Sequence, residues 1–187
     1  MSNPTYLPLL NSIAVNESKG EKLLNAWANA TDDSQLAEVL SFVAIREGEH
    51  AWAFTKRLCE LGEAVCEETA FQFFDDFDGL LACVCSDASD AEKIASFPGA
   101  GERDSEGPDP FAGFFNDQSI DPTTGALLGR YIAEERDSGR RLAAQYKRIW
   151  DSNRSGHAPS EEIEALKVCV ATLQSELEDL KRVRNIA

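Results

Sequence analysis

The chain has 187 residues, with 33 acidic side chains against 18 basic ones and a formal net charge of −15. Such a balance lacks the positive field that holds phosphate backbones or anionic bilayers, so nucleic acid and membrane are not expected partners. Hydrophobic content of 43% fits a globular protein long enough for one domain with a proper core and a small appendage. Five scattered cysteines, Cys59, Cys66, Cys83, Cys85 and Cys169, form no Cys-x-x-Cys pair, which argues against a disulfide framework or a zinc ribbon and predicts a reduced, cytoplasmic protein. The N-terminal stretch has no basic region before its apolar part, and no run approaches the roughly 18 apolar residues of a membrane span. A soluble, unprocessed protein is expected.

From about 7 to 30, Leu10, Ile13, Glu17, Gly20, Leu24 and Trp27 recur in steps of three and four, the period of one helix face. Asp32 and Gln35 have capping-box spacing and predict a second helix over about 34–61, stopped by Gly62. On its apolar line lie Leu36, Leu40, Val43, Glu47, His50, Phe54, Leu58 and Leu61, so Glu47 and His50 interrupt a greasy face. Glu49 falls with Arg46 and Ala53 on another line and is expected at the surface.

A third helix is predicted over 66–86 from Ala70, Phe73, Phe77, Leu80 and Val84. Its phenylalanines are expected in the core or, where surplus, at an interface, with Cys83 and Cys85 as small apolar fillers. A long irregular connection follows, with short helices near 92–97 and 110–115. Asp121-Pro122, an N-cap followed by proline at the first helical position, opens a helix running to about Trp150. Its inward line is Leu128, Tyr131, Glu135, Ser138, Leu142 and Ile149, and Arg130, Glu134, Asp137 and Arg141 form a separate charged line. Beyond a polar break containing His157, Ile163, Leu166, Val170, Leu173, Leu177 and Leu180 repeat as coiled-coil positions. That helix either joins two copies as a homodimer, with Glu176 facing Lys181 across strands, or folds back on its own bundle.

Burying an unpaired carboxylate costs several kcal/mol, yet three predicted helices place one on the apolar side: Glu17, Glu47 and Glu135. His50 follows Glu47 by one turn, so an imidazole nitrogen and a carboxylate oxygen can converge on one ion. Such an oxygen-rich set suits iron or manganese better than structural zinc. Hydrogen bonding of His50 to Glu17 or Glu135, without a metal, would also account for the pattern.

A Glu on one helix and Glu-x-x-His on the next resembles the ferritin-like superfamily and, within it, the rubrerythrin-type di-iron carboxylate proteins. The resemblance implies an all-α, ferritin-like antiparallel helical bundle over 5–152, to which the repeat described above adds a coiled-coil-like helix over 160–184. It implies metal ligation by Glu17, Glu47, His50 and Glu135, with Glu47 as the bridging candidate, His50 as a terminal ligand and Tyr131 as a neighbour. Redox chemistry with oxygen or peroxide would be the associated activity. The second Glu-x-x-His is replaced by Glu135-Arg136-Asp137-Ser138, so the expectation is a lopsided or one-metal site, or a non-catalytic helical adaptor that has lost its metal and dimerises.

Overall fold

The structure, a computed structural model, describes residues 4–97 and 111–157. Its described residues are all-α, with no strand: α1 (Leu7–Ala30), α2 (Ser34–Glu60), α3 (Phe77–Cys85), α4 (Asp90–Ser96) and α5 (Pro122–His157), and one 3-10 turn, Glu67–Thr69, between α2 and α3. The chain divides into two compact units, Met1–Tyr146 and Lys147–Ala187; the core and the side-chain cluster described below belong to the first. No helix among the described residues is long and apolar enough to cross a membrane.

α2 begins one residue later in its capping motif than the spacing predicts. Asp33, not Asp32, is the cap, and its Oδ1 accepts from the Gln35 and Leu36 amides at 3.1 and 2.9 Å. The helix ends as Gly62 predicts. At φ +83° this glycine takes the left-handed turn, while the Glu63 amide reaches back to the Leu58 carbonyl at 2.9 Å and the Gly62 amide to Cys59 at 3.1 Å.

Cross-helix pairs fix the directions of the three long helices. Glu17 meets His50 and Gly20 lies against Glu47, so α1 and α2 are antiparallel. Tyr6 bonds Asp121, Tyr131 bonds Glu17 and Trp27 stacks on Tyr146, so α1 and α5 run parallel. One core joins them, in which Leu10, Ile13, Ala14, Phe54, Leu58, Leu128, Tyr131 and Ile132 are buried with Tyr6. Each large side chain there contributes about 1.5–3 kcal/mol through burial.

The single helix expected over 66–86 is not formed. A 3-10 turn is followed by non-helical chain over 70–76, and only then by α3. Side chains of α1 take the backbone groups that a helix would use internally. Asn11 accepts from the Cys66 amide and donates to its carbonyl, both at 2.8 Å. Ser12 accepts from the Phe71 amide at 2.9 Å, and Asn16 bridges the Phe71 carbonyl and the Phe73 amide at 2.7 and 2.9 Å. Phe71 and Phe73 consequently face solvent, 73% and 57% exposed, rather than the core. Cys85 is exposed and Cys83 half-buried, so neither is a core filler.

α4 matches the short helix expected near 92–97, and Ser89 and Glu92 cap it reciprocally. Its Asp90 accepts from the Trp27 indole at 2.7 Å and the Thr31 hydroxyl at 2.6 Å. Residues 111–115 form turns instead of the short helix predicted there. α5 continues through the expected polar break as far as His157, since that stretch contains no proline before Pro159. The 160–184 helix and the homodimer expected from it lie outside the described residues.

Asp121 caps α5 as predicted and does more. It accepts from the Thr123 and Thr124 amides at 3.0 and 3.1 Å and the Thr124 hydroxyl at 2.7 Å. It also accepts from the Tyr6 phenol at 2.7 Å and the Arg57 guanidinium at 2.9 Å. Bonds from Thr124 and Tyr6, with help from Arg57, hold its carboxyl well below the usual carboxylate range. A depressed folded-state pKa stabilises above the ordinary value and loses that contribution as pH falls. Asp121→Ala should therefore lower the unfolding free energy by about 1–2 kcal/mol at neutral pH and flatten the acid limb of the stability profile. Urea titrations at pH 7 and pH 3 measure both, and an unchanged midpoint at pH 7 would refute the role.

Candidate metal centre

α1, α2 and α5 bring Glu17, His50 and Glu135 to one point. Their ligand-type atoms all lie within 4.8 Å of one another, with Glu17 and His50 buried at 6% and 3% exposure. His50 Nδ1 stands 3.1 Å from Glu17 Oε2 and 3.3 Å from Glu135 Oε1. A ring nitrogen carries at most one proton, and here its alignment serves Glu17. Glu135 Oε1 is accordingly buried with no hydrogen-bond partner. The other Glu17 oxygen accepts from the Tyr131 phenol at 2.9 Å, which places Tyr131 beside the centre as expected.

Glu47 lies next to this trio rather than in it. Its carboxylate rests on Gly20, where an added Cβ would approach Oε2 to 2.7 Å. The reciprocal pair is Gly48, where a Cβ would approach Glu21 Oε1 to 2.7 Å. Two glycines thus let α1 and α2 pass closely enough to accommodate a carboxylate from each side.

Glu134 corrects the sequence reading, which places it on the outer charged line. Its Oε2 is 2.9 Å from His50 Nε2, and its side chain is only 27% exposed. The usable signal was spacing: Tyr131, Glu134, Glu135 and Ser138 follow steps of three, one and three, within the width of a core-facing stripe. Glu49 is a surface residue as expected, 62% exposed and 3.7 Å from Arg130. Ser138, three residues beyond Glu135, is 1% exposed. Its hydroxyl receives Arg46 Nη1 at 3.1 Å, and the same nitrogen reaches Asp137 Oδ2 at 3.1 Å and the Glu134 carbonyl at 3.0 Å.

Electrostatics follow from this crowding. Burial, and then the charges of Glu17 and Glu135 and a hydrogen bond shared with Glu17, push the Glu47 carboxyl well above the usual range. Burial and the Glu17 charge raise Glu135 against the opposing pull of His50. Burial alone would lower the His50 imidazole, but Glu135, Glu17 and Glu134 outweigh it and push His50 up to about 10. Burial and the Glu17 and Glu135 charges raise the Tyr131 phenol. For Glu134, burial is overcome by His50 and Arg130, and its carboxyl is lowered.

Comparison with protein-family models, with curated proteins and with solved structures finds no match. Chemistry must be argued from the side chains themselves.

Buried acceptors that face one another need a proton, a hydrogen-bond donor or a cation between them. With Nε2–H donated to Glu134, a neutral His50 presents a lone pair on Nδ1 to Glu17 Oε2 and Glu135 Oε1. Bonds of about 2.1 Å at angles of 90–110° separate neighbouring ligand atoms by roughly 3.0–3.4 Å; the 3.1 and 3.3 Å from Nδ1 to the two carboxylates lie in this range, as they do in that of hydrogen bonds from a protonated ring. A ligating imidazole also typically gives its other N–H to a carboxylate, the part Glu134 takes. The donor set therefore fits a hard or borderline divalent ion. Protons can serve instead, as an imidazolium with a protonated Glu47.

Groups with raised folded-state pKa values contribute stability at low pH and lose it as pH rises. For Glu47 and Glu135 the loss begins above their ordinary value of 4.5, and for His50 it spans 6.5 to about 10. Protein kept in chelator should melt at progressively lower temperature from pH 6.5 to 10, and His50→Gln should remove most of that slope. Circular dichroism melts across this range test it; a flat wild-type profile counts against the proton-linked centre.

Proposed function

We propose that this chain is a metal-binding protein of ferritin-like architecture, whose centre takes one iron or manganese ion on Glu17, His50 and Glu135 with Glu47 alongside. The observation that carries the reading is Glu135 Oε1, a buried carboxylate oxygen with no hydrogen bond of its own, 3.3 Å from His50 Nδ1 in a group of Glu17, His50 and Glu135 whose ligand-type atoms lie within 4.8 Å of one another. Native interiors rarely leave such an atom unsatisfied, and a divalent ion satisfies all three acceptors at once.

The helix directions support the ferritin-like part of the reading. α1 and α5 are parallel, α2 opposes both, and a long connection separates α2 from α5, as in bundles with one long crossover. Glu17 lies on the first helix, Glu47 and His50 on the second, and Glu135 on the last. Ser138 in place of a histidine favours a single ion over a symmetric pair. Bound there, iron or manganese would supply redox chemistry toward oxygen or peroxide. The residues' own tasks are plainer: Tyr131 holds Glu17 by one oxygen, and Phe54, Phe111 and Phe114, packed around the Tyr131 ring, keep water from that side.

A second reading has its own observation. Both His50 nitrogens already face carboxylates at 3.1 and 2.9 Å, so a charged imidazole could fix helix register in a non-catalytic adaptor, dimerised through 160–184. Metal content separates the two. Wild-type protein loaded anaerobically with Fe(II) or Mn(II) should retain about one ion per chain, and His50→Ala and Glu135→Gln should weaken binding ~100-fold or more. Glu38→Gln, on the exposed side of α2, should bind like wild type. Absence of retained metal in the wild type would leave the register-fixing network as the reading.

A further inference from the structure

We propose that Glu134 is the positioning residue of this centre: by accepting the Nε2–H of His50 it turns Nδ1 toward Glu17 and Glu135, and Arg130 and Glu49 clasp it from the surface. This rests on the cation-binding reading and adds to it a residue that touches no ligand atom of the trio. An imidazole can present either nitrogen by a half-turn of its ring, so a site that uses Nδ1 needs something to hold Nε2.

Glu134 meets that need with both oxygens engaged. Oε2 lies 2.9 Å from His50 Nε2, and Oε1 accepts from Arg130 Nε at 3.0 Å. Arg130 in turn approaches Glu49 at 3.7 Å through its other end. The backbone of the same residue is tied as well, because Arg46 donates to the Glu134 carbonyl at 3.0 Å. One arginine anchors the turn of α5 and another anchors the carboxylate, so Glu134 is set before any ion arrives. The Glu47-Gly48-Glu49-His50 stretch thereby acts on the centre from two sides. Glu47 and His50 reach it from within, and Glu49 reaches it through Arg130 and Glu134.

Full-length wild type, Glu134→Gln, Glu134→Leu and Arg130→Gln are compared by two readouts. In the first, Mn(II) alone is titrated and followed by electron paramagnetic resonance. Glu134→Leu should bind 10–100-fold more weakly, Glu134→Gln within a few-fold of wild type because its amide oxygen still accepts from Nε2–H, and Arg130→Gln in between. In the second, metal-free protein labelled with ¹⁵N-histidine is examined by NMR, with His157→Gln added to remove the other histidine's signals. A slowly exchanging Nε2–H resonance from His50 should be present in wild type and Glu134→Gln and absent in Glu134→Leu. Matching melting curves establish that the variants fold.

Three results overturn the proposal: wild-type Mn(II) affinity in Glu134→Leu, equal loss in Gln and Leu variants, or a protected Nε2–H that survives Glu134→Leu. A wild type that fails to bind Mn(II) defeats the cation reading itself, and the NMR comparison then decides the role of Glu134 on its own.

Discussion

Everything in the helical core is arranged around one imbalance: a buried imidazole ringed by carboxylates from three helices. Removing a carboxylate from water costs several kcal/mol that hydrogen-bond donors, a nearby cation or a proton must offset. His50 supplies one compensating charge, whereas Glu17, Glu134 and Glu135 surround it and Glu47 lies beside Glu17 and Glu135. The resulting bonds tie α1, α2 and α5 at their midpoints, where leucine packing alone would tolerate a shift along the helix axis. Gly20 against Glu47 and Gly48 against Glu21 sharpen that constraint, since a one-turn slip would drive a carboxylate into a Cβ.

Contrast with the polar clusters at the helix ends shows what is unusual about the middle. Around Asp121, donors outnumber the acceptor: two backbone amides, a threonine, a tyrosine and an arginine converge on one carboxylate. Asp90 likewise receives the Trp27 indole and the Thr31 hydroxyl. Those clusters are complete as they stand and act as clamps. At the centre the proportion is reversed, with acceptors in excess and one of them, Glu135 Oε1, held only by the charge of His50 and no hydrogen bond. A polar network that is fully satisfied rigidifies a fold, and one partly satisfied carries a cost that protonation or a ligand can relieve.

Local periodicity was enough to read the long helices and the inward positions of Glu17, His50 and Glu135, because each is a polar residue on an otherwise apolar line. It failed where the deciding partner lies far away in the chain. Asn11, Ser12 and Asn16 look like ordinary polar positions on α1, yet they take the backbone of 66–73 and prevent a helix that Ala70, Phe73, Phe77, Leu80 and Val84 would otherwise suggest. Glu134 was misplaced for a related reason. Its neighbours Arg130 and Asp137 made a convincing outer line, and nothing local shows that the His50 ring extends far enough from α2 to meet it.

Ser138 and Arg46 bear on how many charges the centre can take. A histidine at 138 would add a second neutral ligand one turn beyond Glu135 and make the site symmetric. A serine there leaves space, and Arg46 uses it, placing a guanidinium on Ser138, Asp137 and the Glu134 carbonyl. Its fixed positive charge opposes the rise of both Glu47 and Glu135. A cation on that side would meet a charge of its own sign. The cluster is therefore asymmetric in charge: buried carboxylates crowd the side of Glu17, Glu47 and Glu135, and a fixed guanidinium occupies the side of Ser138.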